Sequence, residues 1–178
     1  FGMARAMKGG IGSASVTVAG VTVGALIACN AVGDVIDPDT ARPVAGARTA
    51  DGLHLADTRR ALLRGDLAQS LLAGTNTTIG VIATDAVLTK AQAQRLAVAG
   101  HDGLARSINP VHTQLDGDTL FALGTGHAGL NPGMLLLATL AAEAVARATL
   151  RAVQAAHSIT TAEDLHLPGL ADGAWHGA

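Results

Sequence analysis

The 178 residues are about the length of one domain, and 49% of them are hydrophobic, enough to bury a substantial core. Aromatics make up only 2% and charged residues 15%, with 22 glycines, so the core must be built from small and branched aliphatic side chains that approach closely. The net charge is −2 and the basic residues are scattered, which excludes a nucleic-acid surface; the longest apolar stretch, Met134 to Ala142, falls well short of the roughly 20 residues of a bilayer span, so neither a membrane segment nor a membrane partner is expected.

In chain order, Ser13 to Val18 and Val21 to Asn30 are rich in Val and Ile, and Ala19-Gly20 between them predicts a hairpin. Gly33 to Asp37 is expected to continue the second strand past a bend. Pro38 to Gly52 has no period and reads as a solvated loop, which delivers the chain into a helix from Asp57 to Leu72 marked by Leu62, Leu63, Leu67, Leu71 and Leu72. Thr77 to Thr84 is a β-branched run between Gly74 and Asp85, predicted as a central strand buried on both faces. Thr89-Lys90-Ala91-Gln92 is a capping box that opens a helix to about Leu104. Asp116-Gly117-Asp118 forms a turn before a strand at Thr119 to Leu123. Asn131-Pro132 then supplies an N-cap and an N1 proline for a helix to about Ala156, supported by Glu143 and Arg147 at i,i+4. Strands alternating with helices in this order imply a mixed, layered α/β fold.

Several patterns invite a functional reading. Gly124-Thr125-Gly126-His127-Ala128-Gly129 fits the dinucleotide fingerprint, yet no strand is predicted after the following helix to carry the acidic ribose ligand. The histidines His54, His101, His112, His127, His157, His166 and His176 show no metal-ligand spacing and read as surface or loop residues. The single cysteine, Cys29, lies in an apolar run with no basic neighbour and reads as an inert core thiol of a bridge-free fold. Asn76-Thr77-Thr78 is also a glycosylation sequon, of consequence only in a secretory setting. From the residues alone, Thr77 is an ordinary strand-start threonine.

Resemblance changes that weighting. Gly74 to Ala86, with its Asn-Thr-Thr start and Ala-Thr-Asp end, resembles the cleavage segment of the L-aminopeptidase D-esterase family, and most of all its nylon-oligomer hydrolase branch. Met7 to Ser13, Val23-Gly24-Ala25-Leu26 running into Asn30, and Asp116 to Ala122 agree and arrive in family order.

The resemblance implies a four-layer αββα sandwich, made by a precursor that cuts itself into two chains that stay together. It implies a single hydrolase domain in which residues 1–76 end the first chain and residues 77–178 form the second, with an N-terminal part expected upstream of this sequence. Thr77 is then the nucleophile, freed by self-cleavage of the Asn76–Thr77 bond. A freed α-amino group, with an unperturbed pKa of roughly 7.7–8.0, is well matched to deprotonate the threonine hydroxyl. Asn30 resembles the family's oxyanion donor, and Lys8 a lysine held near the nucleophile. Asp116 and Asp118 resemble its acidic pair, with Asp118 expected to anchor the new ammonium. The family's second oxyanion donor is a tyrosine, and this chain has none.

The implied reaction is hydrolysis of linear amides, 6-aminohexanoate (nylon) oligomers first, with a β-aminopeptidase or D-amino-acid esterase as the alternative within the family. A non-catalytic assembly module is the alternative outside it. No metal or organic cofactor is expected. The expected partners are an oligoamide or peptide substrate, the cleaved partner chain and a homotetramer of the cleaved pair, and the expected location is cytoplasmic.

Overall fold

A computed structural model describes residues 1–66 and 76–173, and in it the first hairpin forms as the Val/Ile runs predict. Strand β1 (Ile11–Val18) pairs antiparallel with β2 (Val21–Ala28), with Val18 facing Val21 across the turn. Both turn residues are left-handed, Ala19 at φ 53° and Gly20 at φ 77°, the backbone that matches the twist of a two-residue hairpin. Thr17 and Thr22 close a cross-strand hydroxyl contact at 3.0 Å.

Two expectations about the next segment need correction. Strand β3 (Asp34–Ile36) does not prolong β2. It becomes the middle strand of a separate sheet, between β4 (Pro43–Ala45) and β6 (Ile108–Asn109). The stretch from Pro38 to Gly52 is therefore not all loop, since it contributes β4 and a bridge from Arg48 to Leu55. Strands this short carry no readable period. What holds the segment is Asp34, whose buried carboxylate accepts from the Thr58 N–H at 2.6 Å and the Thr58 hydroxyl at 2.8 Å.

Helix α1 (Thr58–Leu63) begins at an Asp57 cap that accepts from the Arg60 N–H at 3.0 Å, and it ends short of the expected Leu72. Gly65, at φ 85°, donates to Leu62 O and Asp66 donates to Ala61 O, both at 3.0 Å. That is a Schellman stop, which the leucine pattern alone does not reveal. Leu67, Leu71 and Leu72 lie outside the described residues.

The main sheet adds β5 (Ile79–Thr84) and β7 (Thr119–Gly124) to the hairpin in the order β1-β2-β5-β7. Helix α2 (Lys90–Ser107) links the parallel pair β5 and β7. Its capping box is present, with Thr89 Oγ1 accepting from the Gln92 N–H at 3.2 Å and Gln92 Oε1 from the Thr89 N–H at 2.9 Å. Helix α3 (Met134–Gln154) packs on α2 and on the hairpin strands. Its alanine-rich face, with Leu137, Ala141, Ala144, Val145, Ala148 and Ala152 buried, comes so close to β1 that a Cβ on Gly12 would stand 2.2 Å from Ala148 O. Glu143 pairs with Arg147 at 2.7 Å as expected, and also with Arg106 of α2 at 3.0 Å.

The start of α3 departs from expectation: Gly133, at φ 92°, occupies the cap position. Asn131 instead pins the preceding loop, donating to Val87 O at 2.9 Å and accepting from the Gly133 N–H at 3.0 Å. After α3 come the short antiparallel pair β8 (Ile159–Thr160) and β9 (His166–Leu167).

The fold is thus mixed α/β, with one helical layer on one face of the main sheet. The opposite face is bare: Ile11, Leu26, Ile79, Phe121 and Leu123 are all exposed on it, Phe121 to 59%. Strand β5 is central, but it is buried on the helical side only, where the sequence reading expected burial on both faces. Among the described residues, no helix is long and apolar enough to cross a membrane.

Candidate active site

Sheet topology brings the distant motifs to one end of the sheet. The parallel register pairs Ile79 with Thr119, so two residues earlier on each strand Thr77 stands beside Gly117, and Asn76 bridges to Asp116. The antiparallel register pairs Ala28 with Ile79, so two residues past β2 Asn30 stands across from Thr77, and the Thr77 N–H donates to Asn30 O at 2.8 Å. Lys8 arrives just before β1, on the neighbouring strand.

At the centre, the Thr77 hydroxyl donates to its own preceding carbonyl, Asn76 O, at 2.6 Å. The Gly117 N–H donates to the same oxygen at 2.9 Å. Gly117 is a necessary residue type here, because a Cβ at that position would meet Thr77 Oγ1 at 2.7 Å. The Asn76 carbonyl oxygen therefore accepts from a backbone N–H and from a side-chain hydroxyl at once.

The two carboxylates have separate tasks. Asp116 organises loops: Oδ2 accepts from the Thr113 N–H at 3.0 Å and the Thr113 hydroxyl at 2.7 Å, while Oδ1 accepts from the Val32 N–H at 3.2 Å. Asp118, with its side chain only 4% exposed, accepts from the Thr78 N–H at 2.8 Å through Oδ1 and meets His112 Nδ1 at 2.9 Å through Oδ2. Asp118 thus grips the residue directly after Thr77. Lys8 Nζ donates to Gly9 O at 2.6 Å, and Lys8 lines the same cavity of about 700 Å³ as Asn30, Asn76 and Thr77. That cavity is otherwise largely apolar, walled by residues such as Met7, Val32, Val35 and Leu62.

Beneath the site, burial pushes the Cys29 thiol up to about 11, against smaller opposing pulls from the Ala31 backbone and the Thr78 hydroxyl. The thiol stays protonated and inert, as its apolar run implies. The Thr78 hydroxyl is itself buried without a hydrogen bond of ordinary geometry.

Sequence reasoning missed two histidines at this centre. His112, read as a loop residue, contacts Asp118, and its Nε2 lies 3.3 Å from His101 Nδ1 of α2. Burial, then the neighbouring His112, holds His101 below the usual histidine range, while Asp118 and Asp102 pull the other way. Neither residue sits at a motif spacing, so only the fold could reveal the pair. No group of three or more His, Cys, Asp and Glu side chains among the described residues is arranged to hold a metal ion. The glycine pattern at Gly124 to Gly129 lies in the loop before α3, and no strand follows that helix in the main sheet among the described residues.

The profile of peptidase family S58 matches residues 2–167. This chain belongs to peptidase family S58. An uncharacterized aminopeptidase of Mycobacterium bovis is 46% identical over 145 residues, 79% of this chain and 42% of its own length. One of Mycobacterium leprae is 44% identical over 172 residues, 88% of this chain and 47% of its own. The 6-aminohexanoate-oligomer endohydrolase of a Kocuria species is 40% identical over 55 residues, 31% of this chain and 16% of its own. Among solved structures, a Burkholderia β-aminopeptidase superposes with a TM-score of 0.60 at 27% identity, covering 93% of this chain and 47% of that one. The L-aminopeptidase D-Ala-esterase/amidase of Ochrobactrum anthropi, described as a variant of the Ntn-hydrolase fold, superposes with a TM-score of 0.56 at 25% identity, covering 93% and 46%. The chain spans less than half the length of these mycobacterial relatives.

Proposed function

We propose that the S58 chain carries the catalytic centre of an amidohydrolase that cuts itself between Asn76 and Thr77 and then uses Thr77 as an N-terminal nucleophile. The observation that carries this reading is the convergence on Asn76 O of the Thr77 hydroxyl at 2.6 Å and the Gly117 N–H at 2.9 Å. Attack of Oγ1 on the Asn76 carbonyl carbon closes a small ring through Cβ, Cα and N of Thr77. Negative charge collects on Asn76 O, where the Gly117 donor is already aimed. Collapse breaks the C–N bond, leaving an ester on Oγ1 and a free α-amine on Thr77. Water then hydrolyses the ester, and Asn76 keeps the new carboxylate.

The freed amine is the base for the next cycle, taking the hydroxyl proton as Oγ1 attacks a substrate amide and later delivering it to the departing amine. Asn30 and Lys8 border the cavity that would hold the substrate acyl part, and Asp118, which accepts from the Thr78 N–H one residue on, is assigned to support the new ammonium. This chemistry calls on no metal or organic cofactor.

For the substrate, the relatives matched over more residues and at higher identity, named aminopeptidases, favour short peptides or amides with a free amino end. The second reading, endohydrolysis of 6-aminohexanoate oligomers, has the 55-residue match in its support. The bare apolar face of the sheet supports a second sheet layered against it, giving the four-layer sandwich in the whole protein. A tetramer of the cleaved pair and a cytoplasmic location complete the proposal.

Intact-mass spectrometry of the full-length protein beside Thr77→Ala tests the centre of it. Two chains with a break after Asn76 in the parent, and one chain in the variant, are expected. An uncut parent that still hydrolyses amides would remove Thr77 from the role. Assays on an L-amino-acid amide, a β-peptide and a 6-aminohexanoate oligomer then separate the substrate readings.

A further inference from the structure

The Thr77 hydroxyl is useful only in one orientation, and its backbone is fixed on one side by Asn30 O and on the other by Asp118, through the Thr78 N–H. Asp118 comes from the residue just before β7, and a carboxylate can rotate, so something must hold its second oxygen. That partner is His112, 2.9 Å away.

We propose that His112 is a positioning residue for the Thr77 centre: its Nδ1–H locks the Asp118 carboxylate in the pose that fixes Thr78 and, through it, the nucleophile. The inference rests on the amidohydrolase reading above. His112 holds a left-handed backbone, φ 54°, which residues other than Gly seldom adopt, and its ring contacts help to hold it there. With an Asp118 oxygen as acceptor, the Nδ1–H tautomer of His112 makes this contact and leaves Nε2 as an acceptor. His101 Nδ1–H fills that acceptor at 3.3 Å, with the two rings tilted at a centroid separation of 4.8 Å. The groups facing this pair are Asp118, directly before β7, and Asp102 on α2. The connection runs from α2 through His101, His112 and Asp118 to the start of β5. It orients a group that orients the nucleophile, and His112 itself touches no substrate.

Two substitutions separate positioning from mere structure. His112→Gly accepts the left-handed backbone and removes the donor. His112→Asn also tolerates that backbone and places Nδ2 where Nδ1 stood. In the full-length protein, His112→Gly is expected to lower kcat for amide hydrolysis about 10–100-fold while KM stays within about twofold. His112→Asn is expected to recover kcat to within about threefold of the parent. A His112→Gly enzyme at the parental kcat, or a His112→Asn enzyme as slow as His112→Gly at an equal melting temperature, would overturn the inference. A parent that neither cuts itself nor turns over amides would instead bring down the amidohydrolase reading, and this inference with it.

Discussion

Gly117 shows how one backbone atom sets the chemistry at Thr77. Its N–H is committed to Asn76 O, and its missing side chain leaves room for Thr77 Oγ1. Because its φ is not left-handed, alanine is tolerated by the backbone itself, so the cost of Gly117→Ala falls on the contact with Thr77. The expected outcome is self-cleavage slowed by about 10²-fold, because alanine keeps the N–H but its Cβ displaces the Thr77 hydroxyl from its place beside the Asn76 carbonyl, with little change in melting temperature. A time course of intact mass after purification measures it. The same residue explains a limit of reading by type: Asp-Gly-Asp reads as a turn, but the turn lies just before it and the three residues run extended beside residues 76–78, and nothing in their spelling says that the glycine amide points at the Asn76 carbonyl. His112 is the stronger case, a histidine that looked like loop surface until β7 carried Asp118 beside it.

The scaffold at the level of elements depends on how closely α3 lies on β1. A Cβ on Gly12 would meet Ala148 O at 2.2 Å and Ala152 N at 2.3 Å, both backbone atoms of a long helix that cannot yield locally. Gly12→Ala is therefore expected to destabilise the fold by about 1–3 kcal/mol, as overpacking does, and urea unfolding of the purified variant would measure it. Hairpin, capping box and the long helix were legible because each is written in local periodicity and in local turn or cap chemistry. The short strands β3, β4 and β6 were not, since they exist only through pairing with each other and through Asp34 holding Thr58. The early stop of α1 was also hidden, because its leucine spacing continues past the Gly65 cap.

For the molecule as a whole, the proposed break after Asn76 falls between β2 and β5, which are neighbours in one sheet. The pieces would share the β2–β5 ladder from Val23↔Thr84 to Ala28↔Ile79, and α3 of the second piece packs on β1 and β2 of the first. Cleavage is therefore expected to leave one particle: the two chains should co-elute in size exclusion under native conditions and part only in denaturant. Separation in native buffer would show that the sheet contacts do not hold the halves together.

What the sequence by itself determined is the set of parts: an α/β chain without a membrane helix, a threonine-headed strand, and three further motifs that place it with the S58 peptidases. These are local matters of composition, periodicity and motif order, which survive without any knowledge of contacts. What only the tertiary structure decided is their convergence. Parallel pairing of β5 with β7 and antiparallel pairing of β5 with β2 set Gly117 and Asn30 on either side of Thr77, residues far apart along the chain. The physical reason is that register, not spelling, fixes which residues share the end of a sheet. The hydrogen bonds that converge on Asn76 O, and those that tie Asp118 to Thr78 and His112, exist only once that register has formed.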